Sequence, residues 1–205
     1  HYTKKGYAIL GKRFADAALR LLSSKPAAVK AKPLNAKWAL NWWFPRHHED
    51  LREIEEREQI DLVFIGDSIT HSWERHGKEV WNEYYRDRNA LNLGFAGDRT
   101  ENVLWRLRHG EAEGYKAKLA VLMIGTNNTG HPPSRPEDVA SGIRLILDEW
   151  FRHQPQSKVL LLGIFPRGRG SEDARRKRSK RVNEIIAEYA DGEKGFYMNF
   201  NEKVL

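Results

Sequence analysis

The stretch DLVFIGDSIT, residues 61–70, places an apolar run directly before a turn that carries glycine, aspartate and serine. A continuous apolar run of this length, ending at Gly66, is typical of a strand buried on both faces of a parallel sheet. Asp67 and Ser68 then lie at the carboxyl end of that strand. Ligands bind at this edge of open α/β sheets, so the stretch predicts a hydroxyl group at a binding edge.

The same pattern continues towards the C-terminus. Four more apolar runs follow, at residues 91–95, 119–124, 158–165 and 195–200. Helical periodicity separates the runs, at residues 73–86, 100–109, 136–153 and 172–190. Alternating strands and helices predict one doubly wound α/β domain with three layers, α/β/α, around a five-stranded parallel sheet. Right-handed crossovers bring the loops after the strands to one edge of the sheet.

Polar clusters follow the first three strands. They are Gly66-Asp67-Ser68-Ile69, Gly97-Asp98-Arg99-Thr100 and Gly125-Thr126-Asn127-Asn128. A serine on a strand-to-helix turn is a candidate nucleophile, and nearby backbone N–H groups can hold a developing oxyanion. A glycine lets a second N–H approach the same oxygen, and an asparagine amide is a further donor. Each cluster alone fits helix capping or a turn, whereas three in succession favour a serine hydrolase.

Four segments carry a resemblance to a known family. They are GDSIT at 66–70, NLGFAGDRTENVLWRL at 92–107, VLMIGTNN at 121–128 and LLLGIFPRG at 160–168. Together they resemble the SGNH hydrolases, also called the GDSL esterase/lipase family. They are similar to the branch that includes the catalytic subunits of platelet-activating factor acetylhydrolase Ib and bacterial acetylhydrolases. The resemblance runs from about Trp42 to Leu205.

The resemblance implies a flavodoxin-like fold and an ester hydrolase that removes short acyl groups such as acetyl. It implies Ser68 as the nucleophile, with an oxyanion hole formed by the N–H groups of Ser68 and Gly97 and the amide of Asn127. Asp67, Ile69 and Asn128, which flank these residues, are candidate substrate contacts. No metal or organic cofactor is implied, and a homodimer is expected.

The base of such a site is not where the family pattern puts it. The family supplies a catalytic histidine, three residues after an aspartate, beyond the fifth strand. Here HYTKKGYAILGKRFADAALRLL, residues 1–22, resembles that final segment instead, so His1 is the candidate base. The family's aspartate either precedes residue 1 or is replaced by a backbone carbonyl or water that orients the ring. A circular permutation, a slice of a tandem protein and a domain swap all fit, and we favour permutation.

This arrangement divides the chain into a His1-bearing segment with a helix over 6–22, a linker over 23–37 and a hydrolase body over 38–205. Small residues, lysines and prolines make residues 23–33 a linker rather than a packed element. In each of the three explanations, the helix over 6–22 is expected to pack on an α/β sheet. The WALNWWF segment at 38–44 is interpreted as an apolar strap on the core.

The composition excludes other chemistries. The chain has no cysteine, which excludes thiol catalysis and cysteine-ligated metals. The net charge of +7 includes a basic run at 175–181, which we interpret as a solvated helix face rather than a nucleic-acid site. The run His47-His48-Glu49-Asp50 is likewise interpreted as a solvated helix face and not as a metal site. No apolar run is long enough for a membrane span.

Two questions stay open at this stage. Without the family's aspartate, the chain could be a catalytically impaired domain that binds acylated carbohydrate, lipid or a protein partner. The sequence has no hydrophobic signal segment, which fits a cytoplasmic protein or the mature part of a secreted one.

Overall fold

The computed structural model describes residues 3–22, 25–130 and 132–201. Five strands form the sheet: β1 (Leu62–Gly66), β2 (Ala90–Gly94), β3 (Leu119–Met123), β4 (Lys158–Leu162) and β5 (Gly195–Met198). The helices outside the β1–β2 connection are α1 (Lys4–Leu22), α2 (Trp43–Glu56), α5 (Thr100–Arg106), α6 (Pro136–His153) and α7 (Ala174–Ile186). The short helices α3 (Ser68–His71) and α4 (Lys78–Tyr84) lie between β1 and β2.

All five strands are parallel, in the order β2-β1-β3-β4-β5. The register pairs Gly66 with Gly94 on one side and with Met123 on the other. The ends of β1, β2 and β3 therefore lie side by side, which brings the three polar clusters to one edge. The prediction of an α/β fold around a five-stranded parallel sheet is confirmed.

One face of the sheet carries the main apolar core. One row of residues in register across β2, β1, β3 and β4 is completely buried, and it consists of Leu91, Val63, Ala120 and Val159. Helices α2, α5, α6 and α7 cover this face with buried residues that include Trp150. Alternate residues of every strand point to one face, so the remaining strand side chains point to the opposite face.

The opposite face is covered only in part. Helices α3 and α4 lie over β1, where Phe64 contacts the rings of Trp81 and Tyr85 at 5.0 and 4.9 Å between centroids. Beyond them, β3 and β4 leave an apolar groove of about 660 Å³, which we call the open groove. Its walls include Val121 and Leu160, which are in register with Phe64.

The N-terminal segment forms helix α1, whose side chains Ile9 and Phe14 are 50% and 66% exposed. Part of the expected linker is a packed element, because Ala27–Val29 form a 3₁₀ turn in which Ala28 is buried. The hydroxyl of Thr100 donates to the Ala28 carbonyl at 2.9 Å, which fixes this turn against α5.

The helix predicted over 73–86 is broken. Its region contains two 3₁₀ turns and the seven-residue α4, because Gly77 interrupts the periodic pattern. In α2, the buried residues recur every three or four positions, so His47 and Asp50 lie inside and the solvated-face interpretation of these two is wrong. No helix in the described part of the chain is long and apolar enough to cross a membrane.

Candidate active site

Ser68 lies at the first position of α3, directly after β1, and its side chain is exposed. Asp67 caps this helix by accepting the N–H of Ile69 at 3.0 Å. The helix sits close on the sheet because two glycines lie beneath it. A Cβ on Gly66 would lie 2.1 Å from the hydroxyl of Thr70, and one on Gly94 would lie 2.3 Å from the backbone nitrogen of His71.

The loop after β2 places Gly97 beside this helix. The N–H of Phe95 donates to the carbonyl of Gly66 at 3.1 Å, and the N–H of Ala96 donates to Nδ1 of His71 at 3.3 Å. Gly97 has a φ of +84°, a conformation that favours glycine. A Cβ at this position would lie 2.3 Å from the Trp38 ring. Both the backbone conformation and the close contact therefore require glycine here.

Asn127 joins the third loop to the second. Its side-chain Nδ2 donates to the backbone carbonyl of Asp98 at 2.8 Å, and its backbone carbonyl accepts from the guanidinium of Arg99 at 3.0 Å. A primary amide has two N–H donors, so this bond uses one of them and fixes the direction of the other. The structure thus brings Gly97 and Asn127 together across two loops.

The residues that flank these three serve the structure of the site. Asp67 and Asn128 are both buried. The amide of Asn128 accepts the Thr100 N–H at 3.0 Å and donates to its hydroxyl and to Glu101, which ties β3 to α5. Ile69 lines the open groove rather than the cavity beside Ser68. In the structure these three residues cap α3, bridge two loops and line the open groove, and their contact with substrate stays a prediction.

A buried charge cluster supports the Gly97 loop from below. Arg106 is fully buried, donates to Asp98 at 2.9 Å and to the Leu93 carbonyl at 3.2 Å, and forms an ion pair with Glu111. The indole of Trp43 donates to the other Asp98 oxygen at 2.7 Å. The residue that follows Gly97 is thus held by two buried donors.

The same cluster extends into α2. His47 Nδ1 lies 2.6 Å from Glu111, and the guanidinium of Arg106 lies 3.8 Å from the centre of the Phe95 ring. Burial and the nearby Glu111 raise the pKa of Asp50 to about 8, so its carboxyl is protonated at neutral pH. The GFAGD segment, residues 94–98, therefore packs on buried charged side chains, most of which are paired with a group of opposite charge.

A cavity of about 650 Å³ opens beside Ser68. Trp38 and Trp42 form part of its wall, with their rings stacked at 6.1 Å between centroids, while Trp43 is fully buried. The apolar-strap interpretation thus describes Trp43, whereas its two neighbours are exposed to the cavity. Glu74, also in the wall, is held by the guanidinium of Arg46.

His71 is a wall residue whose place the sequence analysis did not identify. It ends α3, one helical turn after Ser68, and that three-residue spacing is the signal that could have located it. Burial, together with the cation of Arg46, lowers the pKa of His71. Its neutral ring accepts the Ala96 N–H, which holds the Gly97 loop against α3.

Asp67 makes the stability of the turn depend on pH. Burial raises its pKa from 3.8 to about 6, against the opposing effects of the Ile69 N–H and Arg167. The folded state therefore binds this proton more tightly than the unfolded state, so stability falls as pH rises from about 4 to about 6. The expected loss is about 3 kcal/mol. Urea unfolding from pH 4 to 8 measures it, with Asp67→Asn, which does not titrate, as the reference. A difference between the two proteins that stays constant with pH would contradict this prediction.

His1 lies outside the described residues, so its distance from Ser68 is not part of the structure. Among residues 3–22, 25–130 and 132–201, no group of three or more His, Cys, Asp or Glu side chains could hold a metal ion. What the described residues assemble is an exposed hydroxyl, two further loops with oxyanion-type donors, and an adjoining cavity.

The described residues thus form a polar edge with an adjoining cavity on a parallel α/β fold. The model of the GDSL-like lipase/acylhydrolase family matches residues 64–205. The chain belongs to this family and is a hydrolase.

Curated relatives are similar over most of the chain. Platelet-activating factor acetylhydrolase IB subunit alpha1 from Bos taurus is 37% identical over 178 residues, covering 82% of this chain and 74% of that protein. Subunit alpha2 from Rattus norvegicus is 37% identical over 144 residues, covering 70% of this chain and 60% of that protein. These identities support the family membership independently of the family model.

Solved structures share the fold. A GDSL-like lipase from Bacteroides thetaiotaomicron matches with a TM-score of 0.62 and 20% identity, covering 78% of this chain and 80% of that one. Est24, a carbohydrate acetylesterase from Sinorhizobium meliloti, matches with a TM-score of 0.59 and 17% identity, covering 70% and 85%.

Proposed function

We propose that this chain is a serine-dependent carboxylic ester hydrolase that removes acetyl or other short acyl groups through an acyl-enzyme. The observation that carries the proposal is the meeting of Ser68, the Gly97 loop and the Asn127 amide at one edge of the sheet. Relatives named as acetylhydrolases and a structural neighbour named as an acetylesterase support the acyl group.

In the proposed reaction, the Ser68 hydroxyl attacks the ester carbonyl, and a base takes its proton. The N–H groups of Ser68 and Gly97 and the amide of Asn127 hold the tetrahedral oxyanion. The alcohol leaves with the proton returned by the base, and water then releases the acyl group by the same steps. Ser68 begins α3, and hydrogen bonds fix the loops that carry Gly97 and Asn127. Oxyanion stabilisation needs donors that are preorganised in this way.

We propose His1 as the base, on its resemblance to the histidine of the family's final segment. A triad acid orients such an imidazole and stabilises its charged form, and its loss costs about 10⁴-fold in rate. In the family this acid is the aspartate three residues before the histidine, a position that here precedes residue 1.

The test is covalent as well as kinetic. Hydrolysis of p-nitrophenyl acetate should show an initial burst, and acid quenching should leave one acetyl group on the peptide that contains Ser68. Mass spectrometry of that peptide reads the result directly. Absence of both turnover and acylation would overturn the proposal in favour of a binding domain.

Gly97→Ala should lower kcat with little change in KM. Alanine at this position would have a strained positive φ, and its Cβ would clash with the Trp38 ring. The loop would therefore move, and the N–H of residue 97 would leave the oxyanion position. Loss of one such donor costs about 10²–10³-fold in kcat. Gly170→Ala is the matched control, because a Cβ there meets nothing within 4 Å. Equal kcat values for the two variants would contradict an oxyanion role for Gly97.

A further inference from the structure

The N–H of Gly97, a proposed oxyanion donor, lies in the middle of a β-turn. The carbonyl of Phe95 accepts the Asp98 N–H at 3.1 Å, which closes a turn over residues 95–98 that we call the 95–98 turn. Gly97 is its third residue and has a φ of +84°, as the third position of a type II turn requires. Because glycine has no Cβ to restrict its backbone, the direction of this N–H depends on what holds the rest of the turn.

The two ends of the turn are held by different parts of the molecule. At its C-terminal end, the carboxylate of Asp98 is bound by Arg106 at 2.9 Å and by Trp43 at 2.7 Å. At its N-terminal end, the first peptide group of the turn donates the Ala96 N–H to Nδ1 of His71 at 3.3 Å. Without this acceptor, the first peptide group could rotate while Asp98 stayed in place, and the central N–H of the turn would change direction.

His71 is itself held in a defined position, because α3 is tied to the sheet. Its backbone N–H donates to the Asp67 carbonyl at 2.9 Å, and the side-chain amide of Asn92 on β2 donates to the Thr70 carbonyl at 3.1 Å. The Trp42 ring packs on the imidazole, with 5.8 Å between the ring centroids. The acceptor for the turn is therefore fixed on the same short helix as the proposed nucleophile.

The second ring nitrogen of His71 also has a partner. In a neutral ring, Nδ1 accepts only when the proton is on Nε2, and Nε2 lies 3.6 Å from the Glu74 carboxylate. Glu74 accepts from both terminal nitrogens of Arg46, whose Nε donates to the Gly94 carbonyl at 3.0 Å. The ring is thus oriented from both sides, an arrangement that suits a fixed hydrogen-bond acceptor better than a group that must take a proton from Ser68.

We propose that His71 is a positioning residue for the oxyanion hole, because its neutral imidazole anchors the 95–98 turn and so aims the Gly97 N–H at the oxyanion. The aim at an oxyanion rests on the proposed function, whereas the anchoring of the turn rests on the hydrogen bonds alone. Protonation of Nδ1 turns the acceptor into a donor, so the Ala96 N–H then loses its partner. Acid should therefore release the turn and lower the activity of the site.

The charges around His71 set the pH at which this release occurs. Burial and the cation of Arg46 lower the pKa of His71 from its usual value near 6.5, and the carboxylate of Glu74 opposes them. The anchor is therefore intact at neutral pH and is lost in acid. Charged and titratable groups around the ring and its cavity come from α2, from the segment after α3 and from α5; they are Arg46, Glu49, Glu74, Arg75, His76 and Arg106.

An NMR titration tests the anchor without reference to activity. On acidification, the Ala96 amide resonance should shift with the same midpoint as the ring protons of His71, below pH 6.5. Glu74→Gln removes the carboxylate that favours the charged ring, so it should move this midpoint to lower pH. In His71→Asn, an oxygen that does not titrate is bonded to Cγ where histidine has Nδ1, so the shift of Ala96 should disappear. A wild-type Ala96 amide that does not follow the His71 titration would overturn the proposal.

Kinetics test the positioning role. His71→Leu removes the acceptor and should lower kcat by about 10²-fold with little change in KM, the loss expected when a catalytic group is displaced by about 1 Å. His71→Asn should recover at least about tenfold of this loss at neutral pH, which no replacement of a proton-accepting base by an amide would do. Failure of His71→Asn to recover activity would overturn the proposal.

His48→Leu is the matched control for His71→Leu. His48 is an exposed histidine on α2 that does not line the cavity beside Ser68, so its replacement should leave kcat within about twofold of wild type. Circular dichroism melts of both variants show whether they are folded at the assay temperature. Equal kcat values for folded His71→Leu and His48→Leu would refute the positioning role.

The two tests separate this proposal from the proposed function. An active wild type whose Ala96 amide is independent of His71 would refute the positioning role and leave the esterase in place. A wild type without esterase activity whose Ala96 amide follows His71 would refute the esterase and support His71 as the anchor of the turn.

Discussion

Ser68→Ala is expected to lower kcat/KM for p-nitrophenyl acetate by about 10⁴–10⁶-fold, the range seen when a nucleophilic serine is removed from an acyl-transfer site. The remaining rate comes from the oxyanion donors and from binding, which the substitution leaves in place. Steady-state assays of p-nitrophenol release measure the change in kcat/KM.

The fold should not change with this substitution. The side chain of Ser68 is exposed, and its carbonyl, which accepts the Ser72 hydroxyl at 2.7 Å, is retained in alanine. The free energy of unfolding should therefore stay within about 0.5 kcal/mol of wild type. Loss of activity with an unchanged melting temperature identifies a chemical role for the hydroxyl.

Ser141→Ala is the matched control for this loss. Ser141 is also an exposed helical serine, and its hydroxyl donates to the carbonyl of Glu137 one turn earlier. It lies on α6 and does not line the cavity beside Ser68, so its replacement should leave kcat/KM within about twofold of wild type. If Ser68→Ala retained activity similar to that of Ser141→Ala, another nucleophile would have to be sought.

The strands and the three loop clusters were predictable because each is a local pattern. A run such as LAVLMI at 119–124 is apolar at every position, and this pattern is typical of a strand that is buried on both faces. Once parallel strands are predicted, their ends must meet at one edge, so Ser68, Gly97 and Asn127 follow from topology.

The parts that failed depend on contacts distant in sequence. His47 resembles a solvated histidine in its local sequence, yet its burial depends on Glu111, 64 residues later. Ala28 is in a segment with linker composition, and its burial depends on the hydroxyl of Thr100. The bonds that Asn128 makes to Thr100 and Glu101 on α5 likewise join residues more than 25 positions apart. Composition and spacing contain no information about such partners.

The buried cluster around Arg106 leads to the largest expected loss of stability. Arg106→Leu fits the available volume but leaves the carboxylates of Asp98 and Glu111 buried without their cation. Removing one partner of a buried ion pair costs about 3–5 kcal/mol. In a chain of this size, that lowers the melting temperature by about 6–20 °C. Circular dichroism melts and urea titrations measure both quantities.

The charge, rather than the shape, of Arg106 should account for this loss. Arg181→Leu is the control, because Arg181 forms its ion pair with Glu184 on an exposed helix face and should lose less than about 1 kcal/mol. Adding Asp98→Asn and Glu111→Gln to Arg106→Leu removes the uncompensated charges and should recover part of the stability. A triple variant less stable than Arg106→Leu alone would show that packing and hydrogen bonds outweigh charge.

The loss should also depend on pH, with a sign that follows from the carboxyl groups. Burial raises the pKa of Asp98, and the guanidinium of Arg106 opposes that rise. Without Arg106, the pKa of Asp98 rises further, so the variant binds a proton there on folding. The deficit relative to wild type is therefore smallest at low pH, where the carboxyl is protonated in both states, and grows as pH rises. Because Asp98 follows Gly97 directly, the esterase activity of Arg106→Leu relative to wild type should also decline as pH rises. A deficit in stability that shrinks as pH rises would refute the electrostatic explanation.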